Sequence, residues 1–150
     1  MDVQAFVDGA KESCPIYGFL GLEVLQAEGG VFKARMPLNK DTSNHVNIMH
    51  ASVLFALGEM LGGLVAAKHL AKPEKFQPVV RGLKIDFKAP ALTAITAEAS
   101  FSEAQAVEMN AKLDETGKFD FILKASLTDA NGTVVAETEG DYAIRNFLGK

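Results

Sequence analysis

The chain of 150 residues and 16.0 kDa fits one domain, long enough to bury a core without disulfides or a structural metal. Hydrophobic residues make up 48% and charged residues 23%, which excludes a disordered chain. Fifteen Lys and Arg against nineteen Asp and Glu give a net charge of −4, the wrong sign for a nucleic-acid binder.

Residues 2 to 13 predict a short amphipathic helix (Val3, Phe6, Val7, Ala10) ending near Cys14-Pro15. Leu20, Leu22, Val24 and Leu25 suggest a strand from Phe19 to Gln26. Glu28-Gly29-Gly30 turns the chain into a second strand, Val31 to Pro37, to make a hairpin. Residues 39 to 47 are polar and read as a loop. The strongest helix signal runs from about His50 to Leu70, with Val53, Leu54, Leu57, Met60, Leu61 and Leu64 on one apolar stripe and Asn47 as the expected N-cap. Strands are expected over Val79–Ala89, Thr93–Phe101, Phe119–Asp129 and Thr133–Arg145, the last two joined by Ala130-Asn131-Gly132. Between them, Ser102 to Thr116 reads as a capped helix stopped by Gly117. About six strands, one dominant central helix and two lesser ones predict an α+β fold with an antiparallel sheet.

Cys14 is the lone cysteine, which excludes an intramolecular disulfide and a Cys-based zinc site. A three-His metal site would need His45, His50 and His69 together, and their spacings repeat no helix-face geometry. The N-terminus lacks the basic start and apolar stretch of a signal peptide. No apolar run approaches ~18 residues, so no membrane span is expected and the cytoplasm is the simplest compartment.

The long helix is unusually poor in charge. At about 100° per residue its back carries Ser52, Phe55, Ala56, Glu59, Gly62, Gly63 and Ala66, and between His50 and Ala67 Glu59 is the only ionisable group after the first turn. Such a helix is expected to be buried on both faces, one against its own sheet and the other against a second copy of the chain. A carboxylate in those surroundings should have a raised pKa, which suits a general base.

The stretch from Asn44 to Glu59, Asn-His-Val-Asn-Ile-Met-His-Ala-Ser-Val-Leu-Phe-Ala-Leu-Gly-Glu, resembles the signature of hotdog-fold acyl-CoA thioesterases of the phenylacetic-acid-degradation type. His50 follows Asn44 by six residues, and the acid Glu59 follows His50 by nine. The order of hairpin, long helix and four further strands, read as a meander, is similar to a hotdog sheet wrapped around one helix. The helix at 103 to 116 and Gly117-Lys118 look most like the bacterial branch with no assigned function.

The resemblance implies hydrolysis of an acyl-CoA or related acyl thioester, with coenzyme A as part of the substrate and no metal or other cofactor. Glu59 would be base or nucleophile, the Ala51 amide at the helix start an oxyanion donor, Asn44 an orienting group, and His50 a shaper of the loop. Asn47, Ser52, Phe55, Arg81 and Lys84 are expected around the substrate. The resemblance also implies a homodimer or homotetramer with sites between subunits. Two departures stand out: Ala51 and Ser52 replace two glycines, and the acid is Glu where Asp is commoner.

Arg81 shares a register with Leu83, Ile85 and Phe87, so it is expected to need Glu59 or a ligand phosphate as partner. Lys84 and Lys88 could meet coenzyme A phosphates. His69 reads as a favourable charged group at the helix C-terminus. Two alternatives accompany the hydrolase reading. One is a non-catalytic acyl or acyl-CoA binding module. The other is a hydroxyacyl-thioester dehydratase pairing His45 with Glu59 fourteen residues later, although the His-Phe-Pro and Pro-Gly that accompany that pair elsewhere are missing here.

Overall fold

A computed structural model describes residues 2–150. Helix α1 (Val3–Ser13) is capped by Asp2, whose side chain accepts from the Gln4 and Ala5 amides. A short helix the sequence did not announce, α2 (Pro15–Leu20), follows at once. Pro15 opens it where a missing N–H costs nothing, and Gly21 closes it at φ 75°. A side chain at Gly21 would also press on the Pro37 ring. Phe19 and Leu20 therefore belong to this helix, and strand β1 covers Glu23–Glu28, later than the alternation suggested.

Gly29 and Gly30, both at positive φ, turn β1 into β2 (Val31–Met36). Helix α3 (Ala51–His69) leads to β3 (Gln77–Phe87) and β4 (Ile95–Ser100). Helix α4 (Glu103–Thr116) starts with a reciprocal Ser102/Gln105 capping box and stops at Gly117. Strands β5 (Phe119–Thr128) and β6 (Val134–Arg145) form the hairpin that Asn131-Gly132 promised, with the Asp129 carboxylate accepting from the Asn131 and Thr133 amides.

All pairings are antiparallel, in the order β1-β2-β4-β5-β6-β3. The expected four-strand meander is thus replaced by β4-β5-β6 alone. Strand β3 pairs with β6 at the far edge, and the chain crosses the sheet to reach β4.

Helix α3 fills the inside of the sheet. Leu57, Leu61, Leu64 and Val65 have no exposed surface, and they pack with Phe32, Met36, Ile95, Leu127 and Ile144 from the strands. By length and composition α3 could cross a membrane, contrary to the count of apolar runs, but in this fold it is the core helix. Its glycines let the sheet come close. A Cβ at Gly58 would lie 2.6 Å from Thr138 Cγ2, and one at Gly62 would lie 2.1 Å from the Tyr142 ring. Gly140 leaves the other side of that ring free, and the ring stacks on Phe121 at 5.1 Å. At the end of α3, the Asn110 side chain of α4 donates to the His69 carbonyl and accepts from the Ala71 amide.

His69 is not the charged helix terminus expected. Its side chain is only 6% exposed, edged by Phe32 and Phe101, and its Nε2 meets no partner among the described residues. Burial lowers its pKa below the ordinary 6.5, so near neutral pH the ring is uncharged and packs as a core aromatic.

Replacing a mid-helix glycine by alanine normally stabilises a helix by about 1 kcal/mol. Gly62→Ala should reverse that sign and lose about 1–3 kcal/mol in urea unfolding, because the new methyl group displaces the Tyr142 ring.

Candidate active site

The loop between β2 and α3 is held by Thr42, which is fully buried. Its hydroxyl donates to the Pro37 carbonyl at 2.7 Å and accepts from the Asn39 amide at 2.9 Å. The His50 amide then reaches the Thr42 carbonyl at 2.8 Å, and the Met49 amide reaches the Ala91 carbonyl at 2.9 Å. Within this frame the Asn44 Oδ1 accepts from the Val46 and Ile48 amides, at 2.9 and 3.3 Å. Asn44 therefore shapes the loop with its oxygen, and only its NH₂ is left to meet a ligand.

The helix cap falls three residues later than the sequence suggested. His50 is the N-cap: its Nδ1 accepts from the Ser52 amide at 3.0 Å and lies 2.8 Å from the Ser52 hydroxyl. Accepting at Nδ1 puts the proton of a neutral ring on Nε2. Asn47, the expected cap, is exposed at φ 62°, a left-handed turn position that Asn tolerates better than most residues. It borders a shallow depression with Leu38, Asn39, Lys40 and Ser43.

Capping leaves one donor free. The Val53 and Leu54 amides both return to the His50 carbonyl, at 3.0 and 3.1 Å, and Ser52 is served by the ring. The Ala51 N–H has no acceptor among the described residues, and it points outward from the positive end of a 19-residue helix.

Two turns further on, Glu59 is half-buried. The Tyr17 hydroxyl of α2 donates to its Oε2 at 3.3 Å, and the Tyr142 hydroxyl donates to its backbone carbonyl at 2.7 Å. No salt bridge reaches Glu59 among the described residues. Burial raises its pKa above the ordinary 4.5, and the Tyr17 hydrogen bond opposes that rise. Both tyrosines are pushed above their usual range, by burial first and by the nearby Glu59 charge second.

The back of α3 is covered unevenly within one chain. Gly62 and Ala66 are buried, Ala56, Glu59 and Gly63 are half-buried, and Ser52 and Phe55 are exposed. A Cβ at Gly63 would meet only open space.

Arg81 does not join this site. A bulge between Val80 and Gly82 takes Arg81 out of the inward register and turns it to the outer face of the sheet. There it meets Asp141 at 2.8 Å and Asp120 at 3.3 Å. Lys84, next to Asp86 at 3.5 Å, also points outward and borders a hollow of about 990 Å³, together with Glu98, Ile122, Lys124, Glu137 and Glu139. That hollow lies on the sheet's outer face, and neither Glu59 nor Ala51 lines it. His45 is exposed in the loop.

Tyr17 and Tyr142 escaped the sequence reading. The available signals were that they are the only two tyrosines, and that Pro15 and Gly21 bracket a helical turn around Tyr17.

A six-stranded antiparallel sheet around one long, nearly uncharged helix, with a carboxylate midway along that helix, is the hotdog architecture. The chain belongs to the family described as a domain of unknown function, DUF4442, whose model matches residues 3–144. A Pseudomonas aeruginosa structure, described as of unknown function and a probable thioesterase, is 28% identical with a TM-score of 0.87, over 97% of this chain and 96% of that one. A Haemophilus influenzae thioesterase shares the fold at 15% identity and TM-score 0.74, over 99% of this chain and 93% of that one. A Halobacterium salinarum protein provisionally named an esterase is 23% identical over 95% of this chain and 93% of its own length.

His50→Ala should remove the side-chain cap and cost about 1 kcal/mol of unfolding free energy, while His50→Asn, which can accept the same amide bond, should lose much less. Thermal or urea melts of the two variants check this.

Proposed function

We propose that this protein hydrolyses acyl-CoA or related acyl thioesters through Glu59, without metal or bound cofactor, coenzyme A entering only as part of the substrate. The observation that carries the reading is the pairing on one helix of a half-buried carboxylate and a helix-start amide, the first without a cationic partner and the second without an acceptor among the described residues. Neighbours of the same fold that are named thioesterases support it, as does the 44/50/59 spacing shared with the phenylacetic-acid-degradation type. Acting as a base, Glu59 takes a proton from water while the water oxygen bonds to the thioester carbon. The Ala51 N–H receives the carbonyl oxygen as it becomes negative. Collapse breaks the C–S bond, and the departing thiolate takes the proton from Glu59. The Asn44 NH₂ is placed in the same loop to orient the water or the acyl group, with Asn47, Ser52 and Phe55 beside it. The exposed Lys84 and the Asp-paired Arg81 contribute, if at all, to the distant phosphates.

One chain does not complete this site. Ala51 and Glu59 are eight residues apart, roughly 12 Å along the helix axis at 1.5 Å per residue, too far for both to reach one carbonyl group. The reading therefore calls for two copies, each lending Ala51 to the partner's Glu59. The surface has features that suit such a pairing. Strand β3 is an 11-residue edge with unpaired backbone groups and exposed Val79, Val80 and Phe87. Phe55 is exposed and Gly63 is open to close approach on the same helix. A homodimer, or a tetramer built from two of them, in the cytoplasm is the proposed assembly.

Ala51 is the first helical residue, where proline is well tolerated, and His50 already has the extended backbone (φ −64°, ψ 142°) that a following proline requires. Ala51→Pro thus deletes one amide and little else. Assayed on a panel of acyl-CoAs, Glu59→Gln should lose about 10²–10⁴-fold in rate and Ala51→Pro about 10²–10³-fold. Mixing the two inactive variants after reversible dissociation should restore activity, since each mixed dimer regains one whole site. A Glu59→Gln protein as fast as wild type would refute the assignment, and failure to complement would refute the shared site. An intact co-purified acyl ligand with no turnover would favour the binding module.

Activity needs the ionised carboxylate, and its folded-state pKa is raised. The acid limb of the rate profile should therefore lie above pH 4.5, with activity falling as pH drops through it.

A further inference from the structure

We infer that Tyr17, carried on the N-terminal helix pair α1–α2, is a positioning residue for Glu59: its hydroxyl holds Oε2, so that Oε1 is the oxygen presented to the substrate. This rests on the reading of Glu59 as the reacting carboxylate. Tyr17 itself lies outside the 44–59 motif. Helix α2 is fixed at both ends, by Pro15 at its start and at its close by Gly21, packed against Pro37, with the Leu22 amide donating to the Tyr17 carbonyl at 3.0 Å. Leu20 and Leu22 are buried, and Val7 of α1 joins the same core, so the backbone carrying Tyr17 is held firmly.

The ring of Tyr17 packs on the core, and its hydroxyl emerges at the only carboxylate nearby. Two groups face Glu59 from the elements packed against it. Tyr142 of β6 gives its hydroxyl to the Glu59 carbonyl, which fixes the backbone. Tyr17 of α2 alone hydrogen-bonds the side chain among the described residues, and Cys14 is the other titratable group near the Tyr17 hydroxyl. The backbone is thus held by one tyrosine and the carboxylate by the other. At 3.3 Å the Tyr17 bond is long, as catalytic hydrogen bonds often are before substrate closes the site. The same bond favours the charged form of a carboxylate that burial would otherwise neutralise. Tyr17 is well suited to this duty, because its own proton is held tightly and it donates without ionising.

Removing the Tyr17 hydroxyl deletes the contribution that lowers the Glu59 pKa, so Tyr17→Phe should move the acid limb of kcat/KM to higher pH. It should also lower kcat about tenfold with KM nearly unchanged, the effect of one hydrogen bond to a charged group. Rates of wild type, Tyr17→Phe and Glu59→Gln on the acyl-CoA turned over fastest, from pH 5 to 9, give this comparison. A carboxyl ¹³C titration of Glu59 in each protein gives the pKa without relying on turnover. Should Tyr17→Phe unfold, site-specific 3-fluorotyrosine at position 17 keeps the ring, strengthens the donor and should move the Glu59 titration to lower pH. A folded Tyr17→Phe with wild-type kcat and an unmoved Glu59 titration overturns the inference while leaving the Glu59 reading intact. A fully active Glu59→Gln overturns both.

Discussion

The structure depends on how closely α3 is seated against the sheet. Gly62 and Gly140 leave a slot that admits the Tyr142 ring, and the ring's hydroxyl ends on the carbonyl of Glu59. A helix packed through side chains of ordinary size can rotate or slide a little as rotamers adjust. One packed through glycine on an aromatic face has no such freedom, because interiors are filled to near-crystalline density. Gly58 against Thr138 adds a second close contact one turn earlier. The rotational setting of α3 is thereby fixed, and with it the direction in which Glu59 leaves the helix.

That setting also accounts for how the chain distributes charge. Its ion pairs are on the outer surface: Arg81 with Asp120 and Asp141, Arg145 with Asp120, Lys33 with Glu98. Exposed pairs of this kind contribute little to stability. Glu59, by contrast, has no cation beside it among the described residues, only the Tyr17 hydroxyl and partial burial. A lysine or arginine at that point would hold the carboxylate's pKa low and occupy the oxygens that the proposed reaction needs free. A phenolic donor orients the group while leaving it basic. Under the proposed hydrolysis, the scarcity of charge along the helix is what would leave its single acid free to act as a base.

The parts of this architecture that rest on local chemistry were legible in the sequence. The 3.6-residue stripe marks α3, Ser102 and Gly117 bound α4, and Asn131-Gly132 closes the β5–β6 hairpin, all close to their observed positions. What failed was decided by distant contacts or by single-residue irregularities. Helix α2 is only six residues long, and Leu20, Leu22, Val24 and Leu25 together imitate a strand. The bulge beside Val80 reverses Arg81, since one extra residue exchanges the two faces of a strand. The placement of β3 at the edge depends on pairing with β6, whose partner residues lie 49 to 68 positions further along the chain. His69 carries the residue type of a charged helix end, yet Phe32 and Phe101 reach it first. In the site, Glu59 stood out because no other charge lies on its helix before Lys68. Tyr17 could not, because only the folded chain brings residues 17 and 59 together.

The interval between His50 and Glu59 has a meaning that sequence spacing alone conceals. A fixed separation in a motif is easily read as proximity, as though the loop and the acid converged on one atom. On a straight helix nine residues amount to two and a half turns, so within one chain the interval keeps the two groups apart. What it does fix is direction, since the free Ala51 amide and the Glu59 side chain are held at set positions along one rigid rod. Two such rods placed antiparallel by a twofold axis would bring the start of each opposite the middle of the other, and a closed dimer interface repeats every contact twice. A spacing that separates within the protomer would then be the spacing that joins across the pair.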